Sequence, residues 1–290
     1  MMVRPQRFGF NAETAASNAF QKNLEIKDVS NKALSEFDEM VAVMKDKGIE
    51  VKVVDDLKDL PDSIFPNNWI SQHPNYGLII YPMLSQLRQA EVNLEVVNEL
   101  KQELDVSTLI DLRNSRGILE GTGSIIFDHE NKCMFACISE RSEVKLFNAL
   151  AEQIGYRAVS FEAHDMMGKA IYHTNVMLSI ANDFAVVCSE SISDVLERSM
   201  LLATLKQMGK EVVDLSFSQM NNFAANCLEV LNDEGQSHLI LSKTASDCLS
   251  SEQKETIEKY AELLAVEIPT IEQIGGGSAR CMLAGFYCPK

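Results

Sequence analysis

A cysteine close to the end of the chain follows three consecutive glycines. Gly275 to Gly277 end four residues before Cys281. A run of glycines costs conformational entropy, so it usually marks backbone that needs unusual dihedral angles or a close approach. A thiol at the end of such a run can be directed into a cleft, where its thiolate form is a strong nucleophile. We take Cys281 as a candidate catalytic nucleophile, with an incidental thiol in a flexible loop as the alternative.

Four polar residues precede Cys281 at nearly constant intervals. The successive separations along the series Asn68, Glu120, His173, Asn226 and Cys281 are 52, 53, 53 and 55 positions. A period of this length is typical of stacked or closed repeat architectures. In a closed ring, equivalent positions of the repeats converge on the central axis, so the spacing predicts one shared pocket. Asn226 is assigned only a structural role or a place at the rim of that pocket.

The elements around these residues follow the same repeat. Apolar residues at helical spacing predict helices at about 29–47, 87–104, 143–154, 195–208 and 252–264. Strands follow the helices, and most units contain a hairpin with a polar turn. The last segment, Cys281 to Cys288, is predicted as a strand that completes a unit with Met2 to Phe10. The sequence thus predicts an α/β fold of five hairpin-helix-strand units in one domain, residues 1–290, with the first unit split between the N- and C-termini.

The composition narrows the class of protein. With a net charge of -16, the chain lacks the clustered Lys and Arg that binding to nucleic acids or anionic membranes requires. Seven cysteines in 290 residues, without dense spacing, do not indicate a disulfide framework. No stretch approaches the roughly 18 apolar residues of a membrane span, and the N-terminus does not read as a secretory signal. We expect a cytoplasmic protein without cofactor or metal, since the five histidines show no pair at ligand spacing.

Four short motifs resemble those of the guanidine-modifying, or pentein, superfamily. They are Phe-Pro-Asn-Asn-Trp at 65–69, Leu-Glu-Gly-Thr-Gly-Ser at 119–124, His-Thr-Asn at 173–175 and Gly-Gly-Gly-Ser-Ala-Arg-Cys-Met at 275–282. They are most similar to the citrulline-utilisation hydrolase, or citrulline ureidase, branch, and the similarity spans essentially the whole chain. The resemblance implies a five-bladed α/β propeller, the pentein fold, with a Cys, a His and an acidic residue at its axis.

The resemblance also implies roles for single residues. Cys281 matches the family nucleophile, His173 the general acid/base, and Glu120 the acid that holds the imidazole. Arg141 matches an arginine that holds the substrate α-carboxylate in deiminases. The family motif Glu-Gly-Gly-Asp reads Glu-Gly-Thr-Gly here, so its last acid is replaced by Gly123.

Two further departures from the family pattern concern the substrate. Where arginine deiminases place two aspartates that grip the positive guanidinium, this chain has Asn68 and Asn175. Carboxylates only accept hydrogen bonds and suit a planar cation, whereas an asparagine side chain both donates and accepts. A neutral ureido group offers an oxygen and N–H groups, so the exchange favours a citrulline-like substrate over arginine.

The expected activity is hydrolysis of a ureido C–N bond through a covalent Cys281 intermediate, giving ornithine, ammonia and carbon dioxide. The alternatives are an arginine deiminase or dimethylargininase-type hydrolase, an amidinotransferase that uses an amine acceptor, and a non-catalytic pentein that only binds a ligand. The expected partner is a small ureido or guanidino amino acid, and a homodimer is compatible with the sequence. The polar stretch Phe10 to Asp28 is a candidate lid.

Overall fold

The computed structural model describes residues 1–24, 26–56, 60–74 and 76–286. The strands are β1 Met2–Arg4, β2 Val53–Asp55, β3 Ile70–His73, β4 Gly77–Ile80, β5 Leu109–Asp111, β6 Ile126–Asp128, β7 Cys133–Cys137, β8 Arg157–Phe161, β9 Leu178–Ile180, β10 Phe184–Val187, β11 Glu211–Asp214, β12 Leu228–Leu231, β13 Ser237–Ser242 and β14 Glu262–Val266. The α-helices are α1 Ala12–Ala15, α2 Val29–Asp46, α3 Gln86–Gln89, α4 Leu94–Glu103, α5 Gly121–Ser124, α6 Val144–Ile154, α7 Val195–Gln207, α8 Phe217–Asn221, α9 Lys243–Cys248, α10 Ser251–Glu258 and α11 Pro269–Gly275. Short 3-10 helices span Pro66–Asn68, Thr174–Val176, Ser189–Ser191 and Ala279–Met282.

Four sheets share one topology. Each has three strands, in the orders β3-β4-β5, β6-β7-β8, β9-β10-β11 and β12-β13-β14. The first two strands are antiparallel, and the third is parallel to the second because a helical connection carries the chain back across the sheet. In the second of these sheets, Phe135 pairs with Ile126 on one side and with Val159 on the other. The predicted α/β class is confirmed.

The fifth sheet joins the two ends of the chain. β1 and β2 are parallel, with Met2 opposite Val53. On the other side of β1, the Met1 ammonium donates to the Ala284 carbonyl at 2.8 Å, and the Ala284 N–H donates to the Met1 carbonyl at 3.1 Å. These reciprocal bonds place the C-terminal segment where each of the other sheets has its first strand.

The predicted strand from Cys281 to Cys288 is wrong at its start. Residues 279–282 form a 3-10 helix, in which the Ser278 carbonyl accepts the Cys281 N–H at 2.9 Å. The chain becomes extended only at Leu283, and the last residues of the predicted strand, Tyr287 and Cys288, lie outside the described residues. The tight turn fixes the backbone of Cys281 through local hydrogen bonds.

Two predicted helices also have different bounds. The predicted helix 87–104 is two helices, because Asn93 starts α4 anew by accepting the N–H groups of Glu95 and Val96. The predicted helix 252–264 is shorter, since α10 ends at Glu258 and the following residues form β14, which pairs with β13. In these two places side-chain capping and strand pairing override the apolar spacing from which the helices were predicted.

The hydrophobic core lies between the sheets and the helices that connect their strands. Every residue of β7 is buried, as expected for a central strand that is covered on both faces. One cluster of buried side chains includes residues of β7, β10 and β13, so neighbouring units share apolar contacts. Among the described residues, no helix has the length and apolar character needed to cross a membrane.

A buried ion pair joins two neighbouring units. The Lys210 ammonium, just after α7, lies 2.9 Å from Oδ2 of Asp128 at the end of β6, and both side chains are 2% exposed. The same ammonium donates to the Asn182 carbonyl at 2.6 Å. Burial removes the hydration of both charges, so each depends on the other for compensation.

Replacement of Lys210 by methionine is expected to lower the free energy of unfolding by about 3–5 kcal/mol, because Asp128 is left as a buried carboxylate without its cation, held only by the N–H groups of Asn131. Urea denaturation followed by circular dichroism measures the change. Lys206→Met, at an exposed position of α7, is the control with little effect. Adding Asp128→Asn to Lys210→Met should recover much of the loss. If Lys210→Met lost less than about 1 kcal/mol, the ion pair would make no net contribution to stability.

Candidate active site

Short segments at the start of the units carry the predicted site residues. Asn68 lies in the first 3-10 helix, Glu120 directly before α5, and His173 directly before the second 3-10 helix. Cys281 lies in the last 3-10 helix. The segment of Asn68 contacts both α5 and the segment of Cys281, and α5 contacts the segment that follows His173. Parts of the chain that are far apart in sequence therefore meet at one place.

Glu120 and His173 form a buried pair. Nε2 of His173 lies 2.7 Å from Oε2 of Glu120, and neither residue is more than 2% exposed. Burial alone would raise the pKa of Glu120, but the charge of Arg141 and the hydrogen bond from His173 outweigh it and hold that pKa well below its usual range. Burial lowers the pKa of His173, and Glu120 offsets this only in part. Near neutral pH, the pair is an ionised carboxylate and a neutral imidazole.

Arg141 contacts the same carboxylate and the N-terminal segment. Its Nη1 lies 3.5 Å from Oε2 of Glu120. Its Nη2 donates to the Thr14 carbonyl at 2.9 Å, and its Nε donates to the Ser17 hydroxyl at 3.0 Å. The guanidinium also lies over the Tyr172 ring, 5.1 Å from the centroid, in a cation–π contact. Arg141 is therefore at the site, with most of its N–H groups bonded to the protein.

Two asparagine amides donate to the sulfur of Cys281. Nδ2 of Asn175 lies 3.4 Å from Sγ, and Nδ2 of Asn226 lies 3.3 Å from it. The sequence predicts Asn175 as a substrate contact, but it assigns Asn226 only a structural or rim position and misses its contact with the sulfur. The signal that points to this contact is the repeat itself, which places Asn226 at the same phase as His173 and Cys281.

Two amide oxygens of the site have no hydrogen-bond partner among the described residues. They are Oδ1 of Asn68 and Oδ1 of Asn175, in residues that are at most 3% exposed. A buried polar atom without a partner costs about 1–3 kcal/mol, so these atoms mark positions where a ligand can donate. The site therefore offers two acceptors within the group of residues around Cys281 and His173.

Gly123 allows His173 and Asn68 to approach the backbone closely. A Cβ atom at this position would lie 2.8 Å from Nδ1 of His173 and 3.2 Å from Oδ1 of Asn68. The first distance is shorter than a nonbonded contact tolerates. Glycine replaces the last acid of the family motif at this position. The structure leaves room only for glycine here, because any side chain would displace the imidazole of His173.

The candidate lid is bonded directly to the residues around the site. Nδ2 of Asn11 and Oγ1 of Thr14 donate to Oδ2 of the buried Asp62 at 2.8 and 3.1 Å. Nδ2 of Asn18 donates to the Gly276 carbonyl at 3.1 Å. Gly276 has a φ of +63°, in the left-handed region that favours glycine, so the glycine run is needed for this turn. Together these bonds fix residues 11–18 beside the site.

Three charged residues near Glu120 are not predicted from the sequence. Arg88 forms a buried ion pair with Glu91, 2.9 Å from Nη2 to Oε2, and its charge acts on Glu120. Burial raises the pKa of Glu91 to about 7, although Arg88 opposes the change. Burial also raises the pKa of Asp62, whose Oδ1 has no hydrogen-bond partner among the described residues. These residues lie outside the phase of the repeat, so spacing does not reveal them.

A cavity of about 480 Å³ borders the candidate lid. Ser17, Phe20, Tyr172 and Glu272 are among the residues that line it, whereas Cys281 is not. The cavity thus lies beside the site but does not reach the sulfur. In the described part of the chain, no group of His, Cys, Asp and Glu side chains is arranged to hold a metal ion.

The fold, in which the segments that carry Cys281, His173 and Glu120 meet, is that of the pentein, or guanidine-modifying, superfamily, as the motifs predict. The family model of eukaryotic N,N dimethylarginine dimethylhydrolases matches residues 4–288, and the chain belongs to this family. Its members are hydrolases that act on non-peptide C–N bonds of guanidino compounds, which is the predicted enzyme class.

Solved structures have the same fold. Apo ArgZ, an arginine dihydrolase from the ornithine-ammonia cycle in Cyanobacteria, gives a TM-score of 0.76 at 18% identity, over 97% of this chain and 39% of that chain. The N-terminal domain of ArgZ bound to product gives 0.75 at 18% identity, over 97% and 94%. A variant of DDAH from Pseudomonas aeruginosa complexed with citrulline gives 0.69 at 14% identity, over 97% and 96%.

The chain therefore spans 39% of the longer ArgZ chain but corresponds to nearly all of its N-terminal domain. No curated protein sequence matches the chain.

Replacement of Gly123 by alanine is expected to lower kcat about 100-fold, because the added methyl group displaces the His173 ring from its position beside Asn68. Steady-state kinetics with the best ureido or guanidino substrate measures the effect, and circular dichroism verifies that the fold is intact. Gly9→Ala is the matched control, since nothing lies within 4 Å of a Cβ at that position. An unchanged kcat for Gly123→Ala would show that the close approach does not matter.

The imidazole of His173 is expected to titrate below its ordinary pKa because it is buried. NMR of isotope-labelled histidine measures this directly, and Glu120→Gln should lower the pKa further by removing the carboxylate that raises it. Because the unfolded chain binds this proton more readily, the stability contributed by neutral His173 is present above about pH 6.5 and is lost as the pH falls. A His173 pKa above its ordinary value would refute this description.

Proposed function

We propose that the protein hydrolyses the bond between the ureido carbon and the substituted nitrogen of a citrulline-like amino acid, giving ornithine, ammonia and carbon dioxide. The observation that carries the proposal is the pair of buried, unpartnered amide oxygens on Asn68 and Asn175, within the described residues around Cys281. Both asparagines stand where the arginine deiminases that the motifs resemble have carboxylates.

The polarity of these two side chains favours a neutral group. A guanidinium carries a full positive charge and only donates hydrogen bonds, so carboxylates bind it best. A ureido group has N–H donors and one oxygen acceptor, which match side chains that accept through Oδ1 and donate through Nδ2. A buried carboxylate that faced the ureido oxygen would remain without a donor, at a cost of about 1–3 kcal/mol or more. Asn68 and Asn175 avoid that cost.

The first half of the proposed reaction forms a covalent intermediate. Neutral His173 accepts the proton of the Cys281 thiol, and the Glu120 carboxylate stabilises the imidazolium that results. The thiolate adds to the ureido carbon, and amide or backbone N–H groups stabilise the oxyanion. His173 then returns the proton to the departing nitrogen. The C–N bond breaks, ornithine leaves, and a carbamoyl thioester remains on Cys281.

The second half consumes water. His173 takes a proton from a water molecule, whose oxygen adds to the thioester carbon. The C–S bond breaks, and Cys281 leaves as a thiolate. The carbamic acid that forms decomposes to ammonia and carbon dioxide. The overall change is citrulline plus water to ornithine, ammonia and carbon dioxide, with no oxidation or reduction.

The amino-acid end of the substrate is proposed to lie among Arg141, Arg88 and Asp62. Both arginines are buried cations that act on Glu120 and can attract an α-carboxylate. The unpartnered Oδ1 of Asp62 can accept from an α-ammonium group. Since lid residues bond to Arg141 and Asp62, a substrate has to replace some of these contacts. This supports the proposal that the stretch Phe10 to Asp28 acts as a lid.

The architecture that holds this site is proposed to be a closed propeller of five blades within a single catalytic domain, residues 1–290. The support for closure is the contact of the Asn68 segment with both α5 and the Cys281 segment. The first blade is completed from both termini through the bonds between Met1 and Ala284. A shared axis explains how one polar residue from each unit reaches the same site.

A guanidino substrate is the second candidate. The family of the chain is described as dimethylarginine hydrolases, and ArgZ is described as an arginine dihydrolase. The free amide oxygens of Asn68 and Asn175 can also accept from guanidinium N–H groups. Attack by Cys281 on arginine would leave an amidino group on the sulfur if ornithine departs, or an amidino group that still carries the amino-acid chain if ammonia departs. Attack on citrulline with departure of ornithine leaves a carbamoyl group.

Parallel incubations with L-citrulline and L-arginine, in which ornithine, citrulline and ammonia are followed, test the proposal. Ornithine from citrulline, abolished in Cys281→Ala and retained in Cys248→Ala, is the expected result. Cys248 is a suitable control because it is a partly exposed thiol outside the site. Turnover of arginine but not citrulline would establish the guanidino alternative. Product that requires an added amine would indicate an amidinotransferase, and no product at all would favour a binding protein.

Replacement of Asn68 by aspartate is expected to shift preference toward a guanidinium. The ratio of kcat/KM for arginine to that for citrulline should rise at least about tenfold. The introduced carboxylate attracts the guanidinium cation of arginine and repels the ureido oxygen of citrulline. Asn68 is the better of the two asparagines for this test, since no hydrogen bond joins it to Cys281 among the described residues. Asn98→Asp, at an exposed position of α4, is the control. An unchanged ratio would remove the basis of the polarity argument.

A further inference from the structure

Asn226 is fixed beside the nucleophile by bonds on two sides. It is 2% exposed. Its backbone N–H donates to the Phe223 carbonyl at 2.8 Å, and its Nδ2 donates to the Asn175 carbonyl at 3.1 Å. Phe223 has a φ of +62°, which is uncommon for a bulky residue and shows that packing holds this turn. The amide plane of Asn226 is thereby oriented before any substrate binds.

The amide of Asn226 suits both protonation states of Cys281. One N–H of Nδ2 is used by the Asn175 carbonyl, and the other is available to Sγ at 3.3 Å. Oδ1 of the same amide lies 3.5 Å from Sγ. The thiol can therefore donate to Oδ1, and the thiolate can accept from Nδ2, without a change in the position of Asn226.

Neutral donors are the hydrogen-bond partners of this sulfur. Among the described residues, Sγ of Cys281 bonds to the side chains of Asn175 and Asn226. His173 directs Nε2 to Glu120 instead, and Arg141 directs its guanidinium to Glu120 and the lid. A thiolate needs stabilisation to be populated near neutral pH. In this arrangement the amides supply the direct hydrogen bonds.

We propose that Asn226 stabilises the thiolate that forms when Cys281 gives up its proton, as the second amide donor beside Asn175. The proposal rests on the proposed function only in taking Cys281 as the nucleophile. It gives the unit that contains β12, β13 and β14 a part in the reaction. Asn175 keeps its Oδ1 free for the substrate, whereas both polar atoms of the Asn226 side chain face the sulfur or the Asn175 carbonyl.

The test is a pH titration of the Cys281 thiolate that needs no substrate. The ultraviolet absorbance of the thiolate, at wavelengths below the aromatic bands, is followed in each protein, and the titration of the same protein carrying Cys281→Ala is subtracted. Asn226→Ala removes a direct donor to the sulfur, so the midpoint should move upward. Asn226→Asp, which is nearly isosteric, should shift it at least as far because a carboxylate repels the thiolate. Asn221→Ala, at an exposed position of α8, should leave it unchanged.

Kinetics separate this role from a structural one. In Asn226→Ala, kcat should fall while KM stays the same, and kcat should recover at higher pH as the thiolate forms. A merely structural role would not give recovery with pH. An unshifted midpoint in folded Asn226→Ala and Asn226→Asp would overturn the proposal. A shifted midpoint in a protein that turns over neither citrulline nor arginine would uphold it while the proposed function fails.

Discussion

The burial of one ionised carboxylate is the constraint on which the rest of the site depends. Glu120 is fully buried, and a charge in that position needs donors from several directions. The Leu84 N–H donates to Oε1 at 2.9 Å, while His173 and Arg141 approach Oε2 at 2.7 and 3.5 Å. These partners come from separate parts of the repeat. The carboxylate is therefore compensated only when the units are assembled correctly around it, which couples the chemistry to the fold.

The same constraint determines the electrostatics of the reaction. Since Glu120 is held in its ionised form and burial keeps His173 neutral, the imidazole can accept one proton, and the adjacent carboxylate compensates the positive charge that results. The sulfur of Cys281 contacts neutral amides rather than a cation. Asn68 and Asn175 are also neutral, and their free amide oxygens could accept hydrogen bonds from the substrate. These neutral surroundings are the basis on which we propose a ureido group rather than a guanidinium as the substrate.

The sequence could predict the repeat of similar units because each unit carries one polar residue at an equivalent position. The α/β class and the superfamily are confirmed, and the residues from Asn68 to Cys281 at these positions do meet. The roles of these residues stay predictions. Other features depend on contacts that spacing does not encode. The 3-10 turn at Cys281 arises from local backbone bonds within a run that also suits a strand. Arg88 and Asp62 meet their partners, the carboxylate of Glu91 and the amide of Asn11, only in the folded chain.

The mass of the group carried by Cys281 during turnover tests the central claim most directly. The enzyme is mixed with citrulline, quenched in acid within the first turnovers, digested, and the peptide that contains Cys281 is analysed by mass spectrometry. The account predicts a carbamoyl group on this cysteine, absent when Cys281 is replaced by alanine and increased when hydrolysis is slowed. An amidino group formed from arginine, with no adduct from citrulline, would contradict the assignment of a ureido substrate. Ornithine released from citrulline with Cys281 unmodified throughout would contradict the covalent mechanism itself.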